Sequence, residues 1–129
     1  MKFLSDIPKP EGYVYLASPY TSENVGVKLI RHLCAESATA YIIEAGFSVY
    51  SPIVHMHFMA VNYNLTDRIP WHHINRPLLE SCSELWILMI DGWQESVGLT
   101  GEILLARELG KPERYIYSSE NAILVMEDH

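Results

Sequence analysis

Hydrophobic positions along the chain follow two kinds of pattern. Short apolar runs at residues 13–17, 47–51 and 85–90 are rich in strand-forming residues and predict β-strands. The run at 85–90 is continuously apolar, which is typical of a strand buried on both faces. Apolar positions at three- and four-residue steps predict helices over 22–45 and 97–109.

The remaining segments have weaker patterns. A helix is expected over 71–83, with Pro77 near its start or at a kink. Residues 53–70 have no sustained period and predict a long loop with short helical pieces, and loops of that length are often functional. Two further strands are predicted at 114–117 and 122–126.

Within the first long helix, one set of apolar positions predicts the buried face. Its members are Ile30, Cys34, Ala38, Tyr41, Ile42 and Ala45. Lys28 and His32 fall on the opposite face and are expected to contact solvent. Gly46 follows directly, at the position where a glycine commonly ends a helix.

The alternation of strands and helices predicts a single domain over 1–129 with a three-layer α/β fold. We expect a Rossmann- or flavodoxin-like, mostly parallel sheet of five strands in the order 2-1-3-4-5. In such a sheet the ligand binds outside the carboxyl ends of the strands, where the strand order reverses. That point lies between the first and third predicted strands. Ligand-binding or catalytic residues are therefore expected in the segments that follow these two strands, 18–24 and 91–101.

Composition narrows the function classes. The chain has 129 residues, of which 49% are hydrophobic and 19% charged, which provides for one core and argues against disorder. Nine Lys and Arg against 16 Asp and Glu give a net charge of −7, so binding to a nucleic-acid polymer is not expected. Neither a membrane-spanning run nor a signal-peptide pattern is present. Cys34 and Cys82 lack zinc or redox spacing, which favours reduced thiols and a cytoplasmic location.

The segment 91–102 leaves a predicted strand and enters a helix. A helix N-terminus carries unpaired amides and a partial positive charge, so it favours an anion. Ser96 is placed as an N-cap or an anion ligand, and Gly98 and Gly101 would allow a ligand to approach closely. The alternative is an ordinary capped helix with two glycines in a tight turn.

Glu102 is the most informative polar residue of this helix. It shares a helical face with Leu105, Ala106 and Leu109, and that face should turn toward the sheet. A carboxylate there costs free energy unless it is paired or used in chemistry. The hydroxyl of Tyr15, on the first predicted strand, could orient it. The alternatives are a first-turn Glu that interacts with the helix dipole and an ordinary core tyrosine.

Histidines offer weaker signals. His55 and His57 alternate after the second predicted strand but have no acidic or Cys partner nearby, so pocket or loop positions are favoured over a metal site. No metal or other cofactor is expected. His72 and His73, beside Trp71, could contact a base, although surface positions on a helix are the more common outcome.

Several motifs taken together resemble the nucleoside 2-deoxyribosyltransferase superfamily, which includes the 2′-deoxynucleoside 5′-phosphate N-hydrolases. The resemblance extends over about residues 13 to 117. The motifs are Tyr15-Leu16-Ala17-Ser18-Pro19-Tyr20, Ser51-Pro52, Trp71 with Leu78-Leu79-Glu80-Ser81-Cys82-Ser83-Glu84-Leu85, and Ser96-Val97-Gly98-Leu99-Thr100-Gly101-Glu102.

The resemblance implies roles for individual residues. Glu102 would attack the anomeric carbon, and Tyr15 would position its carboxylate. Transferases of the superfamily usually have Asp six residues before the nucleophile, whereas the phosphate hydrolases have Ser. This chain has Ser96 there, which favours a 5′-phosphorylated ligand because a carboxylate would repel phosphate. The other expected substrate-binding residues are Ser18, Pro19, Tyr20, Asn75, Asp91, Val97 and Gly98.

Asn75 departs from the pattern of the superfamily. Relatives commonly carry an acid at this position, eight residues before that of Ser83. An amide can hydrogen-bond a base but cannot donate a catalytic proton. Either Asp67, Asp91 or a histidine serves as the acid, or activity is weak, or the fold only binds its ligand.

The sequence therefore predicts an enzyme that cleaves the N-glycosidic bond of a (deoxy)nucleoside 5′-monophosphate or nucleoside, by hydrolysis or base transfer. The alternative is a non-catalytic nucleotide-binding or sensing module on the same fold. A phosphatase based on Asp91 would lack the companion Lys, Thr or second Asp that it needs. A homo-oligomer, a dimer or larger, is expected because relatives complete their sites with a neighbouring subunit. Three Trp and eight Tyr also suggest an aromatic interface.

Overall fold

A mixed sheet forms the centre of the molecule. The computed structural model describes residues 2–65, 69–118 and 122–126, and within these residues the sheet has six strands in the order β1-β6-β5-β4-β2-β3. The strands are β1 (Lys2–Phe3), β2 (Val14–Ala17), β3 (Val49–Tyr50), β4 (Glu84–Leu88), β5 (Glu113–Ser118) and β6 (Ile123–Val125). Strands β3, β2, β4 and β5 are mutually parallel, while β6 runs antiparallel to both β5 and β1.

The five predicted strands lie in the expected order 2-1-3-4-5, as β3-β2-β4-β5-β6, but the expected number of strands is wrong. A sixth strand, β1, lies at the edge of the sheet, and β6 makes that edge antiparallel. The two-residue strand β1 was missed because a pair of exposed residues, Lys2 and Phe3, has no period that a pattern can detect. The antiparallel pairing of β5 and β6 follows from their connection. Only four residues separate Ser118 from Ile123, and a parallel crossover needs a dozen or more.

Four helices connect and cover the strands within the described residues. They are α1 (Val25–Glu44), α2 (Pro52–Asn62), α3 (Trp71–Ser81) and α4 (Val97–Glu108). None of them is long and apolar enough to cross a membrane.

Helix α2 corrects the prediction of a long loop over 53–70. Ser51 caps the helix by accepting a hydrogen bond from the amide of Val54 at 3.2 Å. Pro52 occupies the first turn, where its missing N–H and fixed φ are favourable. Apolar residues on several sides of α2 obscured the helical period, because one side packs on α1 while Phe58 and Val61 remain exposed.

Two other local predictions also need correction. Pro77 lies in the middle of α3, so of its two expected placements the one near the helix start is wrong. On α1, Ile30 and Tyr41 are 62% and 40% exposed, whereas His32 is 1% exposed although it was expected on the outer face. Helix α2 covers that side of α1, and a periodic pattern does not reveal which neighbour a helix will meet.

Helices on both faces give the fold three layers. Alternate side chains of each central strand point to opposite faces. Leu16 and Trp86 join a cluster with residues of α1, and Tyr15 and Ile87 join a second cluster with residues of α3 and α4. The sheet thus separates these two clusters, and a third, smaller cluster lies between α1 and α2.

Candidate functional site

A cavity of about 600 Å³ lies at the carboxyl ends of β2 and β4. Helices α3 and α4 supply most of its wall, and α1, α2 and the loop after β2 supply the rest. Its apolar wall includes Ile53, Met56, Leu79 and Leu105. This is the position at which the strand-order argument expects a ligand in an α/β sheet.

Glu102 and Tyr15 meet at the wall of this cavity. The hydroxyl of Tyr15, on β2, donates a hydrogen bond to Oε2 of Glu102, in the second turn of α4. Burial raises the pKa of the Glu102 carboxyl to about 7, and the hydrogen bond from Tyr15 opposes part of that rise. Burial and then the charge of Glu102 raise the pKa of the Tyr15 phenol, so Tyr15 stays protonated and able to donate.

The carboxylate of Glu102 is thus partly desolvated and accepts a hydrogen bond from a neutral donor, the Tyr15 phenol. Such a carboxylate can act as a nucleophile or can stabilise a positive charge that develops beside it. A pKa near 7 means that the ionised and the protonated forms of Glu102 are both populated at neutral pH. The predicted contact between Tyr15 and Glu102 is present, and their catalytic roles stay predictions.

The N-terminus of α4 opens into the same cavity. Ser96 is the N-cap, and its Oγ accepts a hydrogen bond from the amide of Leu99 at 3.2 Å. Val97 is 88% exposed, and a Cβ added at Gly98 would meet no atom within 4 Å. The first amides of a helix have no partner within the helix, and Val97 and Gly98, which carry two of them, both line the cavity. Lys28 of α1 lines the cavity and adds a positive charge.

The loop after β2 contributes unequally to the site. Ser18 lines the cavity, and its buried Oγ has no hydrogen-bond partner among the described residues. Tyr20 also lines the cavity, and its hydroxyl lies 2.7 Å from Nδ1 of His57. Burial is the main cause of the lowered pKa of His57. Pro19 is buried and does not line the cavity, and its expected contact with substrate stays a prediction.

Asn75 lies on the α3 wall of the cavity. The hydroxyl of Tyr50, on β3, donates a hydrogen bond to its Oδ1 at 2.9 Å. Burial and then the charge of Glu102 raise the pKa of Tyr50 to about 12, so this phenol also remains a donor. The ring of Tyr50 packs against that of Tyr15, with centroids 5.7 Å apart.

Asp91 does not line the cavity that contains Glu102. It is exposed and lines a neighbouring cavity of about 380 Å³, together with Arg31 and Glu95. Thr21 and Ser96 line both cavities. The expected substrate contact of Asp91 is therefore not part of the Glu102 cavity, and Asp67 lies outside the described residues.

Several cavity residues were not predicted as ligands. Lys28, Trp71 and Arg76 line the cavity, and Tyr50 supports its wall through Asn75. The sequence could have indicated Lys28, because it lies in the first turn of α1, the helix that follows the loop after β2. His72 and His73 lie exposed on the cavity wall. His55 and His57 do not join any metal-ligating group of three or more His, Cys, Asp or Glu within the described residues.

Comparison with known proteins gives a family without an assigned activity. The family model that matches describes a domain of unknown function (DUF1937) and covers residues 12–118. No curated protein matches the chain. Since the family model covers well over half of the 129 residues, including β2, β4, α4 and the cavity between them, the chain belongs to the DUF1937 family.

Proposed function

We propose that this protein cleaves the N-glycosidic bond of a nucleoside 5′-monophosphate, with Glu102 as the nucleophile. The observation that carries the proposal is the carboxylate of Glu102, held by Tyr15 in a cavity beside the open N-terminus of α4. Cleavage needs a carboxylate next to the anomeric carbon, where the transition state resembles an oxocarbenium ion.

The spacing along α4 supports a sugar phosphate as the ligand. Gly98 and Glu102 are four residues apart, about 6 Å along the helix axis. That separation is comparable to the length of a pentose 5′-phosphate. The phosphate would accept hydrogen bonds from the amides of Val97 and Gly98 and from Ser96, with Lys28 to balance its charge. The anomeric carbon would then lie near Glu102, and the base near the apolar wall.

The charge state of Glu102 determines when the reaction proceeds. Only the ionised carboxylate can attack C1′ or stabilise positive charge on the sugar. Because the pKa of Glu102 is about 7, base release should increase as the pH rises through neutrality. Water completes hydrolysis, whereas a second base in place of water gives base transfer.

The direct test is release of free base from purified protein. Deoxynucleoside and ribonucleoside 5′-monophosphates are incubated with the protein alongside the unphosphorylated nucleosides, and free base is quantified by chromatography. We expect base release with a higher kcat/KM for the phosphorylated member of each pair. Equal or higher kcat/KM for the unphosphorylated nucleosides would contradict the phosphate contacts at α4.

A nucleotide-binding or sensing module is the second candidate. The neutral side chain of Asn75, where related enzymes commonly carry an acid, is the observation that favours it. Saturable nucleotide binding by calorimetry, without base release from any of these compounds, would establish this candidate and exclude the catalytic one.

We also propose a homo-oligomer in the cytoplasm. The exposed aromatic residues include Phe58 and Tyr63 of the α2 region, at 53% and 72% exposure, and Leu29 and Leu33 are exposed on α1. Aromatic residues are enriched in interfaces. Light scattering at micromolar concentration should give at least a dimer, and a monomeric mass would contradict the proposal. The free thiols of Cys34 and Cys82 are consistent with a reducing compartment.

A further inference from the structure

The side-chain amide of Asn75 has a fixed orientation. Its Oδ1 accepts a hydrogen bond from Tyr50, which does not line the cavity. No acceptor among the described residues bonds to Nδ2 of Asn75. The carbonyl end of the amide is therefore occupied by the protein, and the N–H end is left for a ligand in the cavity.

Asn75 and Glu102 are held by one pair of packed tyrosines. Tyr50 donates to Asn75, Tyr15 donates to Glu102, and the two rings lie with centroids 5.7 Å apart. The pair of packed tyrosines thus positions both the Nδ2 donor of Asn75 and the carboxylate of Glu102. His72, His73 and Arg76 are the other polar side chains of this stretch of α3 that line the cavity. All three are exposed to solvent, and the two histidines contact each other.

We propose that Asn75 donates a hydrogen bond from Nδ2 to the departing base, that Tyr50 is the positioning residue for this bond, and that the base leaves as an anion. The inference rests on the proposed function. It specifies the substrate class as nucleotides whose base presents an acceptor to Asn75 and is acidic enough to leave without prior protonation. Bases that leave only after protonation are poor substrates.

The step is balanced by water. The carboxylate of Glu102 forms a bond to C1′ as the bond from C1′ to the base nitrogen breaks, and the electron pair moves onto the base. Nδ2 of Asn75 stabilises the resulting anion without transferring its own proton. The free base takes a proton from water, and a second water molecule hydrolyses the sugar ester to regenerate the Glu102 carboxylate.

Without proton transfer, the rate must depend steeply on the acidity of the leaving base. The experiment measures kcat/KM for uracil deoxynucleotides with hydrogen, fluorine or bromine at C5, which change acidity with little change in shape. For the parent we expect roughly a tenfold change per pKa unit of the base. Asn75→Asp, which supplies an acid, should flatten this dependence and favour the less acidic bases at mildly acidic pH. Asn62→Asp, an exposed change of the same type on α2, should keep the steep dependence of the parent.

Tyr50→Phe tests the positioning role, because it removes the hydrogen bond to Oδ1 and keeps the ring against Tyr15. In the parent protein, which has Asn75, we expect Tyr50→Phe to lower kcat/KM about 10-fold. In the Asn75→Ala variant the same change should have little effect, because no side-chain amide remains to be oriented. A shallow dependence on leaving-group acidity in a parent that turns over normally would overturn this inference alone. Absence of base release from every nucleotide, with binding verified by calorimetry, would overturn the proposed function and this inference together.

Discussion

The two faces of the sheet differ in the hydrogen-bond partners of their buried carboxylates. On the α1 face, Trp86 donates from Nε1 to Glu84 at 2.9 Å, and Glu84 in turn accepts from Arg114 at 2.9 Å. On the face covered by α3 and α4, Glu102 has Tyr15 as its hydrogen-bond partner, and burial raises its pKa to about 7. On the α1 face the carboxylate of Glu84 is thus paired with a cation, although the ring nitrogens of His32 on α1 have no hydrogen-bond partner among the described residues. On the other face the carboxylate of Glu102 is held by a neutral phenol beside a cavity.

This difference arises within single strands. Leu16 and Tyr15 are neighbours on β2, yet Leu16 joins the apolar cluster under α1 and Tyr15 reaches the cavity. Alternation along the strand separates a residue of the apolar core from one that lines the cavity. Substitutions on the α1 face should consequently change the free energy of unfolding, whereas substitutions on the cavity face should change the rate of base release.

The largest effect is expected for Glu102→Gln. It keeps the side-chain volume and removes the proposed nucleophile, so base release should fall by on the order of 10³-fold or more while nucleotide binding persists. Kinetics and calorimetry on the same preparation measure both quantities. The exposed Glu44→Gln on α1 is the matched control and should retain the activity of the parent. Turnover above one tenth of the parent in Glu102→Gln would remove Glu102 from the mechanism.

The stability of Glu102→Gln provides a second readout. The pKa of Glu102 is raised from 4.5 to about 7 in the folded protein, so the folded state binds more protons than the unfolded state between these values. The free energy of unfolding should therefore fall as the pH rises from about 4.5 to 7. Denaturation of Glu102→Gln across this range should show a smaller fall than the parent.

Leu16→Ala addresses the opposite face. Leu16 is fully buried in the α1 cluster, so the truncation should lower the free energy of unfolding by about 2–5 kcal/mol. Chemical denaturation measures this loss, and Leu33→Ala, at a half-exposed position of α1, should cost far less. The pH midpoint of base release should not move in Leu16→Ala, because Leu16 has no contact with Glu102. A displaced midpoint would show that the two faces are coupled.

Tyr15→Phe should lower kcat about 10- to 100-fold, since a hydrogen-bond donor to the proposed catalytic carboxylate of Glu102 is lost. The hydrogen bond from Tyr15 lowers the pKa of Glu102, so its removal should raise that pKa and move the rise of the pH–rate profile to higher pH. Tyr41→Phe, at an exposed position of α1, is the control with the same chemical change. An unchanged profile in Tyr15→Phe would mean that Tyr15 serves packing alone.

The smallest effect is expected for Ser96→Ala. Ser96 and Ser51 each cap a helix through a hydrogen bond of 3.2 Å, so both truncations should cost about 1 kcal/mol of stability. Only Ser96 lines the cavity. Ser96→Ala should thus reduce the preference for phosphorylated over unphosphorylated nucleoside several-fold, and Ser51→Ala should leave this ratio unchanged. Equal ratios in the two variants would place the phosphate elsewhere.

Local sequence patterns predicted much of the frame of the site. The central strands, α1, α4 and the Ser96 cap follow from apolar periodicity and from capping preferences, both of which act within a few residues. The inward face of Glu102 follows from the same helical period. The resemblance to a known superfamily joined Glu102 with Tyr15, although 87 residues separate them.

Only the tertiary structure revealed features that depend on contacts between distant elements. The burial of His32 needed α2 packed on α1, and the orientation of Asn75 needed Tyr50, 25 residues earlier on β3. The sixth strand needed the pairing of β1 with β6, from opposite ends of the chain. A local pattern shows which face of an element is apolar, but the partner of that face is chosen by packing across the whole chain. For this reason the sequence alone predicted the carboxylate, and the structure alone revealed the fixed amide opposite it.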